Sequence, residues 1–310
     1  MSTADTGRLP SWRPGPTRDA VLAFLDAAPS VPVEQRVACF DNDGTLWCER
    51  PRYPQLDFFV DALTTAVRAD PGLADAPELA AVLGGDRAAI GEIGLERIAL
   101  ALTGLFRGVT PEDFTARVRE FAARAVHPTL SRPLRDTTYL PMLELIAALR
   151  RIDFTVFVVT GGGTEFVRAL SQQLYGVPPE AVVGSLIDYD FAPTTAGSGP
   201  RLTRADRLVG TANEGAAKVT HIQTQLGRRP ILAAGNSGGD REMLEWAASA
   251  GGPTLALLVD HDDATREFSY VSTAETVAEP EPITDVGARL GWTVVSMADD
   301  WDAVFPPTTR

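Results

Sequence analysis

Carboxylate, hydroxyl and amide side chains stand directly after three separate apolar stretches of this sequence. These segments are 41–45 (Asp-Asn-Asp-Gly-Thr), 160–163 (Thr-Gly-Gly-Gly) and 235–240 (Gly-Asn-Ser-Gly-Gly-Asp). A carboxylate can attack phosphorus to form an acyl phosphate, and a second carboxylate two residues later can move the required protons. If the three segments meet in the folded chain, their residue types predict a site for phosphoryl transfer.

The chain as a whole has a formal net charge of -13, so its overall field does not attract an anionic substrate. Positive charge at such a site must come from individual local groups. A carboxylate nucleophile would itself repel a phosphate dianion, and a Mg²⁺ ion with oxygen ligands would offset that repulsion. Lys218 is the only lysine in the sequence, and a compact ammonium can neutralise charge during the reaction. The hydroxyl of Thr160 and the backbone N–H groups of Gly161 and Gly162 can bind phosphoryl oxygens.

Alternating strand and helix patterns in most of the chain predict the scaffold for these residues. Strands are expected at 36–40, 154–159, 181–187, 230–234, 254–259 and 292–296, and helices at 17–28, 140–151, 164–175, 213–226 and 239–248. This alternation is typical of a parallel sheet with helices on both faces, so we predict an α/β fold with a Rossmann-like, doubly wound parallel sheet. Ligands bind beyond the carboxyl ends of such strands, where the three segments lie. Residues 190–210 are expected to form a hairpin or an irregular flap.

A helix-favouring region interrupts this alternation between the first and second strands. Residues 54–125 are rich in Ala, Leu, Glu and Arg, and their apolar positions recur at helical spacing. We therefore predict two domains, a core formed by residues 1–48 and 136–310 and a helical cap formed by residues 49–135.

The composition argues against several classes of partner. An acidic chain repels phosphate backbones and anionic lipid, so neither nucleic acid nor a membrane is expected as a partner. The sequence has no apolar stretch of ~18 residues and no apolar signal segment at its start, which predicts a cytoplasmic protein. Its two cysteines, Cys39 and Cys48, form no disulfide framework. We expect a small phosphorylated metabolite as the partner, and nothing in the sequence indicates the oligomeric state.

The three segments and Lys218 together resemble the four motifs of the haloacid dehalogenase (HAD) superfamily. Asp-x-Asp-Gly-Thr after a buried strand is similar to the first motif, Thr160 to the second, Lys218 to the third, and Asn236 with Asp240 to the fourth. The order along the chain agrees as well. The helical insertion after the first motif is most similar to the phosphoserine-phosphatase-like branch, which carries a C1-type helical cap.

This resemblance implies a Mg²⁺-dependent phosphatase that hydrolyses a small-molecule phosphate monoester through an aspartyl-phosphate intermediate. Asp41 would be the nucleophile and a metal ligand, and Asp43 would be the general acid/base and a metal ligand through its backbone carbonyl. The implied phosphate-binding residues are Thr160, Gly161, Gly162 and Lys218. Asn236 and Asp240 would complete the metal shell.

Asn236 departs from the family pattern, since many relatives carry Asp at this position. An amide oxygen can still bind Mg²⁺, but the site loses one negative charge, and the sequence leaves open whether Asn236 or Asp240 contacts the metal directly. At the entrance to the predicted cap, Glu49 and Arg52 are candidates for binding the leaving group of the substrate. A solvated hinge is the alternative interpretation of these two residues.

Other functions share parts of this pattern. A phosphotransferase or mutase uses the same four motifs, and a catalytically idle binding protein could have the same fold. Asp43 argues against a dehalogenase, and the absence of lysine from residues 49–135 argues against phosphonate cleavage through a Schiff base. The three histidines lack metal-ligand spacing and are expected to be structural, and residues 260–263 (Asp-His-Asp-Asp) are expected to form a solvated loop rather than a second metal site.

Overall fold

The centre of the fold is a seven-stranded sheet with the order β4-β3-β2-β1-β5-β6-β7. The computed structural model describes residues 7–195, 197–274, 276–278 and 280–308. The strands are β1 Val37–Phe40, β2 Thr155–Gly163, β3 Val182–Ala192, β4 Arg201–Val209, β5 Leu232–Gly235, β6 Leu255–Asp260 and β7 Thr293–Ser296. Neighbouring strands are parallel except for the antiparallel pair β3 and β4.

The central strands bring the three polar segments to one edge of the sheet. In the register of the sheet, Cys39 of β1 lies beside Phe157 of β2 and Ala233 of β5. Every residue of β1 and of β5 is buried, as expected for parallel strands covered on both faces. Because the three strands run in the same direction, the residues that follow β1 and β5 lie next to the carboxyl end of β2.

Twelve α-helices are present in the described residues. They are α1 Pro16–Ala27, α2 Pro54–Ala69, α3 Pro77–Gly84, α4 Arg87–Ile93, α5 Leu95–Gly104, α6 Pro111–Arg124, α7 Leu140–Arg151, α8 Thr164–Tyr175, α9 Ala216–Leu226, α10 Arg241–Ala248, α11 Ile283–Leu290 and α12 Met297–Asp300. Helices α7 and α8 pack against β2, α10 packs against β5 and β6, and α11 packs against β7. The fold is therefore the α/β type that the sequence predicts.

Five of these helices, α2 to α6, are inserted between β1 and β2. Their common core is aromatic: the ring of Phe58 lies 5.3 Å from that of Phe106 and 5.6 Å from that of Phe114, measured between centroids. The ring of Phe166 in α8 lies 5.6 Å from Phe58, so the inserted helices share apolar contacts with the rest of the protein. The division of the chain into domains at residues 48/49 and 135/136 stays a prediction.

Most elements lie where the sequence predicts them, and the differences have local causes. The predicted bounds of α7 and α8 agree with the structure. Strand β2 runs on to Gly163, past the predicted end at residue 159, because Gly163 still pairs with Ser185 of β3. Helix α9 begins three residues later than predicted, because Gly215 before it has φ 59° and ψ -133°, which is outside the helical region.

The loop that follows β6 differs from its predicted character. Residues 260–263 were expected to be solvated, but His261 is 1% exposed and Asp263 is 6% exposed. The carboxylate of Asp263 accepts hydrogen bonds from the backbone N–H groups of Thr265 and Arg266, which satisfies it without water. Among the described residues, no helix is long and apolar enough to cross a membrane.

Candidate active site

A buried lysine connects two of the motif carboxylates. The Nζ atom of Lys218 in α9 lies 2.6 Å from Oδ1 of Asp41, which directly follows β1, and 2.6 Å from Oδ1 of Asp240. It also donates to the carbonyl of Val159 at 2.9 Å. With its three N–H groups engaged and 2% of its surface exposed, Lys218 is held as an ammonium between the two carboxylates.

Asp240 uses its second oxygen to hold the backbone of its own motif. Oδ2 accepts hydrogen bonds from the backbone N–H groups of Asn236 at 3.0 Å and Ser237 at 3.1 Å. Both oxygens of Asp240 are therefore engaged inside the protein. Gly235 makes this close packing possible, because a Cβ atom at that position would overlap the side chain of Asp240.

Charges in this buried cluster shift the pKa values of its members. Burial raises the pKa of Asp41, the Asp240 carboxylate adds to the rise, and Lys218 opposes it. For Lys218, burial acts to lower the pKa, but the carboxylates of Asp240 and Asp41 outweigh it and the pKa is raised. The lysine therefore stays charged, and Asp41 needs further positive charge nearby to be a stable carboxylate.

Asp43 has the properties expected of an acid that operates near neutral pH. Burial and the nearby Glu49 carboxylate raise the pKa of Asp43 to about 7, against the opposing effects of Asn42 and Lys218. Gly44, the next residue, has φ 76°, which turns the chain sharply away from β1. The N–H of Gly44 donates to the carbonyl of Trp47 at 2.8 Å, so the turn is closed by its own backbone.

The second motif, Thr160 to Gly163, forms the last four residues of β2. The Oγ1 atom of Thr160 accepts a hydrogen bond from the N–H of Gly162 at 3.0 Å, and the Thr160 carbonyl accepts from Asn213 Nδ2 at 2.9 Å. Side chains from elsewhere lie tightly over the glycines: a Cβ at Gly162 would lie 2.7 Å from Oε1 of Gln55, and one at Gly161 would lie 2.8 Å from Oε1 of Glu214. Positions 161 and 162 therefore require glycine, because these side chains leave no room for a Cβ atom.

Gln55 and Glu214 are site residues that the motifs did not reveal. Gln55 lies in the first turn of α2, and its Oε1 atom accepts the N–H of Gly163 at 2.8 Å. Glu214 precedes α9 and accepts a hydrogen bond from the hydroxyl of Thr276. Neither residue belongs to a recognisable motif, and only the three-glycine segment signals that other side chains approach it closely.

The fourth-motif amide lies beside a buried carboxylate. Nδ2 of Asn236 is 3.3 Å from Oε1 of Glu49 and 3.3 Å from the hydroxyl oxygen of Ser272, while its Oδ1 accepts from the hydroxyl of Thr45 at 3.3 Å. The hydroxyl of Tyr270 donates to the same Oε1 of Glu49 at 2.8 Å. Glu49 is 6% exposed, which excludes the interpretation of this residue as part of a solvated hinge.

Arg52 is positioned differently from the other predicted site residues. Its guanidinium forms an ion pair with Asp57 in the first turn of α2 at 2.7 Å, and its side chain is 45% exposed. The structure brings together Asp41, Lys218 and Asp240 on one side and Glu49 and Asn236 on the other. It does not show a contact between Arg52 and these groups, and a role of Arg52 in substrate binding stays a prediction.

A buried histidine, His261, contacts the backbone of the turn that follows Asp43. Nε2 of His261 is 2.8 Å from the carbonyl oxygen of Gly44, and Nδ1 is 3.3 Å from Oε2 of Glu267. Both ring nitrogens of His261 therefore have a polar partner inside the protein. Burial acts to raise the pKa of Glu267, but hydrogen bonds and the charge of His261 outweigh it and the pKa is lowered. His261 is thus structural, as predicted, and lies directly against the first motif.

The donors at this site fit a hard, oxygen-binding cation better than a zinc-type metal. No group of three or more His, Cys, Asp or Glu side chains in the described part of the chain could hold a metal. The available oxygens are instead of mixed type: the Asp41 carboxylate, the Asp43 carbonyl and the amide oxygen of Asn236. Mg²⁺ accepts such a partial protein shell because it keeps several waters. The excess of carboxylates over the one ammonium also favours a divalent cation here.

Comparison with known proteins identifies the family. Residues 38–245 match the model of the haloacid dehalogenase-like hydrolase family, so the chain belongs to this family and is a hydrolase of the HAD type. A search of curated proteins finds no match. The matched range contains all four motifs and the inserted helices.

The solved structures to which this chain is similar share little sequence with it. A protein of unknown function from Bordetella pertussis Tohama I is 17% identical, with a TM-score of 0.54 over 84% of this chain and 98% of the other. A conserved functionally unknown protein from Anaerococcus prevotii DSM 20548 is 12% identical, with a TM-score of 0.53 over 79% and 86%. A probable phosphoserine phosphatase from Vibrio cholerae is 13% identical, with a TM-score of 0.40 over 88% and 71%. The first two support the fold.

Proposed function

We propose that this protein is a Mg²⁺-dependent phosphatase that hydrolyses a small-molecule phosphate monoester through an aspartyl-phosphate on Asp41. The observation that carries the proposal is the buried ammonium of Lys218, which contacts both Asp41 and Asp240 at 2.6 Å. Burying one ammonium and two carboxylates together is costly, and phosphoryl transfer uses these charges in a way that ligand binding alone does not require.

In the first step, a carboxylate oxygen of Asp41 attacks phosphorus and the ester P–O bond breaks. The departing alkoxide takes the proton of Asp43, whose pKa of about 7 allows it to be protonated near neutral pH. In the second step, Asp43 takes a proton from a water that attacks the phosphorus. The Asp41–phosphate bond then breaks, which releases inorganic phosphate and restores the carboxylate.

The phosphoryl oxygens would be bound by the second motif, and the buried charge of Lys218 would offset their negative charge. The hydroxyl hydrogen of Thr160 is available as a donor because its oxygen already accepts the N–H of Gly162. The backbone N–H of Gly161 and the ammonium of Lys218 supply further positive ends to the same region. The side chains of Gln55 and Glu214 pack closely over these glycines and leave little space there, which favours a small substrate.

Asp41, the carbonyl of Asp43 and the amide oxygen of Asn236 would hold the metal. When bound, Mg²⁺ would offset the repulsion between the Asp41 carboxylate and the phosphate. Asp240 is assigned a different task, because its oxygens already bind Lys218 and two backbone N–H groups. This assignment favours Asn236 over Asp240 as the direct ligand.

The test is hydrolysis of p-nitrophenyl phosphate by the purified full-length chain with Mg²⁺, with EDTA, and in the variant Asp41→Asn. We expect activity with Mg²⁺, none with EDTA, and none in the variant, because an amide is not a nucleophile towards phosphorus. Asp26→Asn is the control, since its side chain is 64% exposed in α1. Full activity of Asp41→Asn would exclude the proposed nucleophile.

Hydrolysis and phosphotransfer are separated in the same assay. Glycerol or another alcohol is added as a competing acceptor, and the products are analysed by ³¹P NMR. A hydrolase releases inorganic phosphate, whereas a phosphotransferase forms a new phosphate ester at the expense of inorganic phosphate.

A further inference from the structure

Asn236 and Glu49 form a contact that connects the fourth motif to the segment leading into α2. The Nδ2 atom of Asn236 lies 3.3 Å from Oε1 of Glu49. A carboxylate only accepts hydrogen bonds, so the amide must present its NH₂ group to Glu49 and its oxygen to the opposite side. The hydroxyl of Thr45, which donates to that oxygen at 3.3 Å, agrees with this orientation.

Glu49 also lies directly against the backbone of the first motif. A Cβ atom added to Gly44 would lie 3.0 Å from the carboxyl carbon of Glu49 and would overlap the Asn236 amide. Gly44 follows Asp43, whose carbonyl is a proposed metal ligand. The Glu49 carboxylate therefore lies next to two of the three proposed ligands, one through a hydrogen bond and one through the packing of the adjacent glycine.

Glu49 has no ion-pair partner among the described residues, although the charges of His261 and Arg50 lie close enough to favour its carboxylate. Its hydrogen-bond partners are the uncharged Asn236 amide and Tyr270 hydroxyl. Lys218 is already shared between Asp41 and Asp240. Burial still disfavours the Glu49 carboxylate, and a divalent ion next to Asn236 would stabilise it.

We propose that Glu49 is a positioning residue of the metal site: it supplies the negative charge that Asn236 lacks, and it orients the Asn236 amide so that its oxygen faces the cation. This inference rests on the proposed function, because it assumes the Mg²⁺ site at Asp41. It differs from the sequence-based prediction that Glu49 binds the leaving group. The carboxylate acts on the metal through the Asn236 amide.

The experiment measures cation affinity without substrate, by calorimetric titration of the full-length chain with Mg²⁺ and Mn²⁺. Glu49→Gln keeps the size and hydrogen-bonding capacity of the side chain but removes its charge. We expect its cation affinity to fall by about 10- to 100-fold, the range found when a group that supports a metal ligand is lost. Glu245→Gln, a 41% exposed position in α10, removes the same charge away from the site and should leave the affinity unchanged.

Charge relocation provides the second variant. Asn236→Asp alone places two carboxylates in contact, and its melting temperature without metal should fall. The double variant Glu49→Gln/Asn236→Asp returns the pocket to its original number of carboxylates, with the charge moved to the fourth motif. We expect the double variant to recover most of the affinity lost in Glu49→Gln. This recovery is not expected if Glu49 serves only to support the fold.

The outcomes separate this inference from the proposed function. Equal cation affinities of the wild type and Glu49→Gln overturn the role of Glu49, even if hydrolysis falls, and leave the phosphatase proposal standing. Failure of the double variant to recover affinity, while remaining folded by its melting curve, also overturns it. A wild-type protein that binds neither cation overturns the proposed metal dependence itself and this inference with it.

Discussion

Lys218 and Asp240 are joined at 2.6 Å, while the second oxygen of Asp240 accepts the backbone N–H groups of Asn236 and Ser237. The third and fourth motifs are therefore one connected unit, although 22 residues separate Lys218 from Asp240. A displacement of Asp240 would shift both the lysine that faces Asp41 and the amide of Asn236. This explains how a residue without a free oxygen can still be needed for the site.

Replacing Lys218 by Met should cost both stability and activity. The substitution leaves the carboxylates of Asp41 and Asp240 buried without their ammonium, and breaking a buried pair in this way costs about 3–5 kcal/mol. Turnover should fall by about 100-fold or more, because the lysine no longer neutralises the phosphate. Urea unfolding and p-nitrophenyl phosphate hydrolysis measure the two effects.

The exposed Arg68 in α2 is the matched position, and Arg68→Met should change neither quantity. The loss of stability in Lys218→Met should be larger at pH 8 than at pH 5, because a buried carboxylate can be protonated at the lower pH. An unchanged unfolding free energy in Lys218→Met at pH 8 would contradict the buried ion pair.

The stability of the metal-free protein should decrease as the pH rises through about 7. Burial, the first cause in each case, raises the pKa values of Asp41, Asp43 and Glu49, and that of Asp43 reaches about 7. Between their ordinary values near 4 and these raised values, the native state binds more protons than the unfolded state. Its stability is therefore full at low pH and is lost as these groups ionise, by up to about 1.4 kcal/mol per pH unit for each group.

Chemical unfolding in EDTA from pH 5 to pH 8.5 measures this slope. Asp43→Asn, which cannot ionise, should flatten it, and Mg²⁺ should stabilise the protein most at the high end, where the carboxylates are free to bind it. A slope that is identical in the wild type and Asp43→Asn would refute the raised pKa of Asp43.

Order along the chain and strand periodicity were sufficient to predict the sheet and the position of its motifs. Parallel strands end at a common edge, so the residues after β1 and β5 and those at the end of β2 had to approach each other whatever the rest of the chain did. The bounds of α7 and α8 were also predictable, because each has a regular apolar face and an evident end. The ends of β2 and the start of α9 depended instead on pairing with β3 and on the conformation of Gly215.

Contacts made by single side chains from distant segments could not be predicted in this way. Gln55, Tyr270 and Ser272 reach the motifs only because the chain folds back, and no local pattern marks them. Residues 260–263 show the same limit: their polarity predicts a solvated loop, yet His261 is buried because Gly44 and Glu267 satisfy both of its nitrogens. Composition reports polarity, whereas burial depends on whether a partner is present.

Gly184 in β3 should be intolerant of even a methyl group. An added Cβ would lie 2.8 Å from the carbonyl oxygen of Gly162 and 2.9 Å from Cγ2 of Thr160, so the second motif would have to move. We expect Gly184→Ala to lose about 1–3 kcal/mol of stability, as is usual for overpacking, and to raise the KM for p-nitrophenyl phosphate. Thermal unfolding and steady-state kinetics measure the two changes.

Gly91 provides the contrast, because nothing lies within 4 Å of its added Cβ in helix α4. Gly91→Ala should stabilise the protein by up to about 1 kcal/mol through helix propensity and leave the KM unchanged. If Gly184→Ala and Gly91→Ala had the same effect on stability and KM, the close packing of β3 against the second motif would not be important for the site.

Arg204 of β4 should be a main connection between the β3–β4 hairpin and the inserted helices. Its guanidinium is paired with Glu165 of α8 and lies 3.8 Å from the ring centroid of Phe114 in α6, with 3% of the side chain exposed. Burial lowers the pKa of Arg204 to about 10, so it remains charged at neutral pH and needs its partner. Arg204→Leu leaves the Glu165 carboxylate unpaired, and Glu165→Gln leaves the Arg204 guanidinium unpaired. Each variant should therefore lose about 3–5 kcal/mol of unfolding free energy.

The double variant Arg204→Leu/Glu165→Gln should be less destabilised than the sum of the two single variants, with a coupling of about 1–3 kcal/mol. Urea unfolding of the four proteins completes this cycle. Arg207 on the same strand is the control, because its ion pairs with Asp188 and Asp190 are exposed, and Arg207→Leu should cause no measurable loss. Strict additivity of the two single variants would show that Arg204 stabilises the fold through its packing on Phe114 rather than through Glu165.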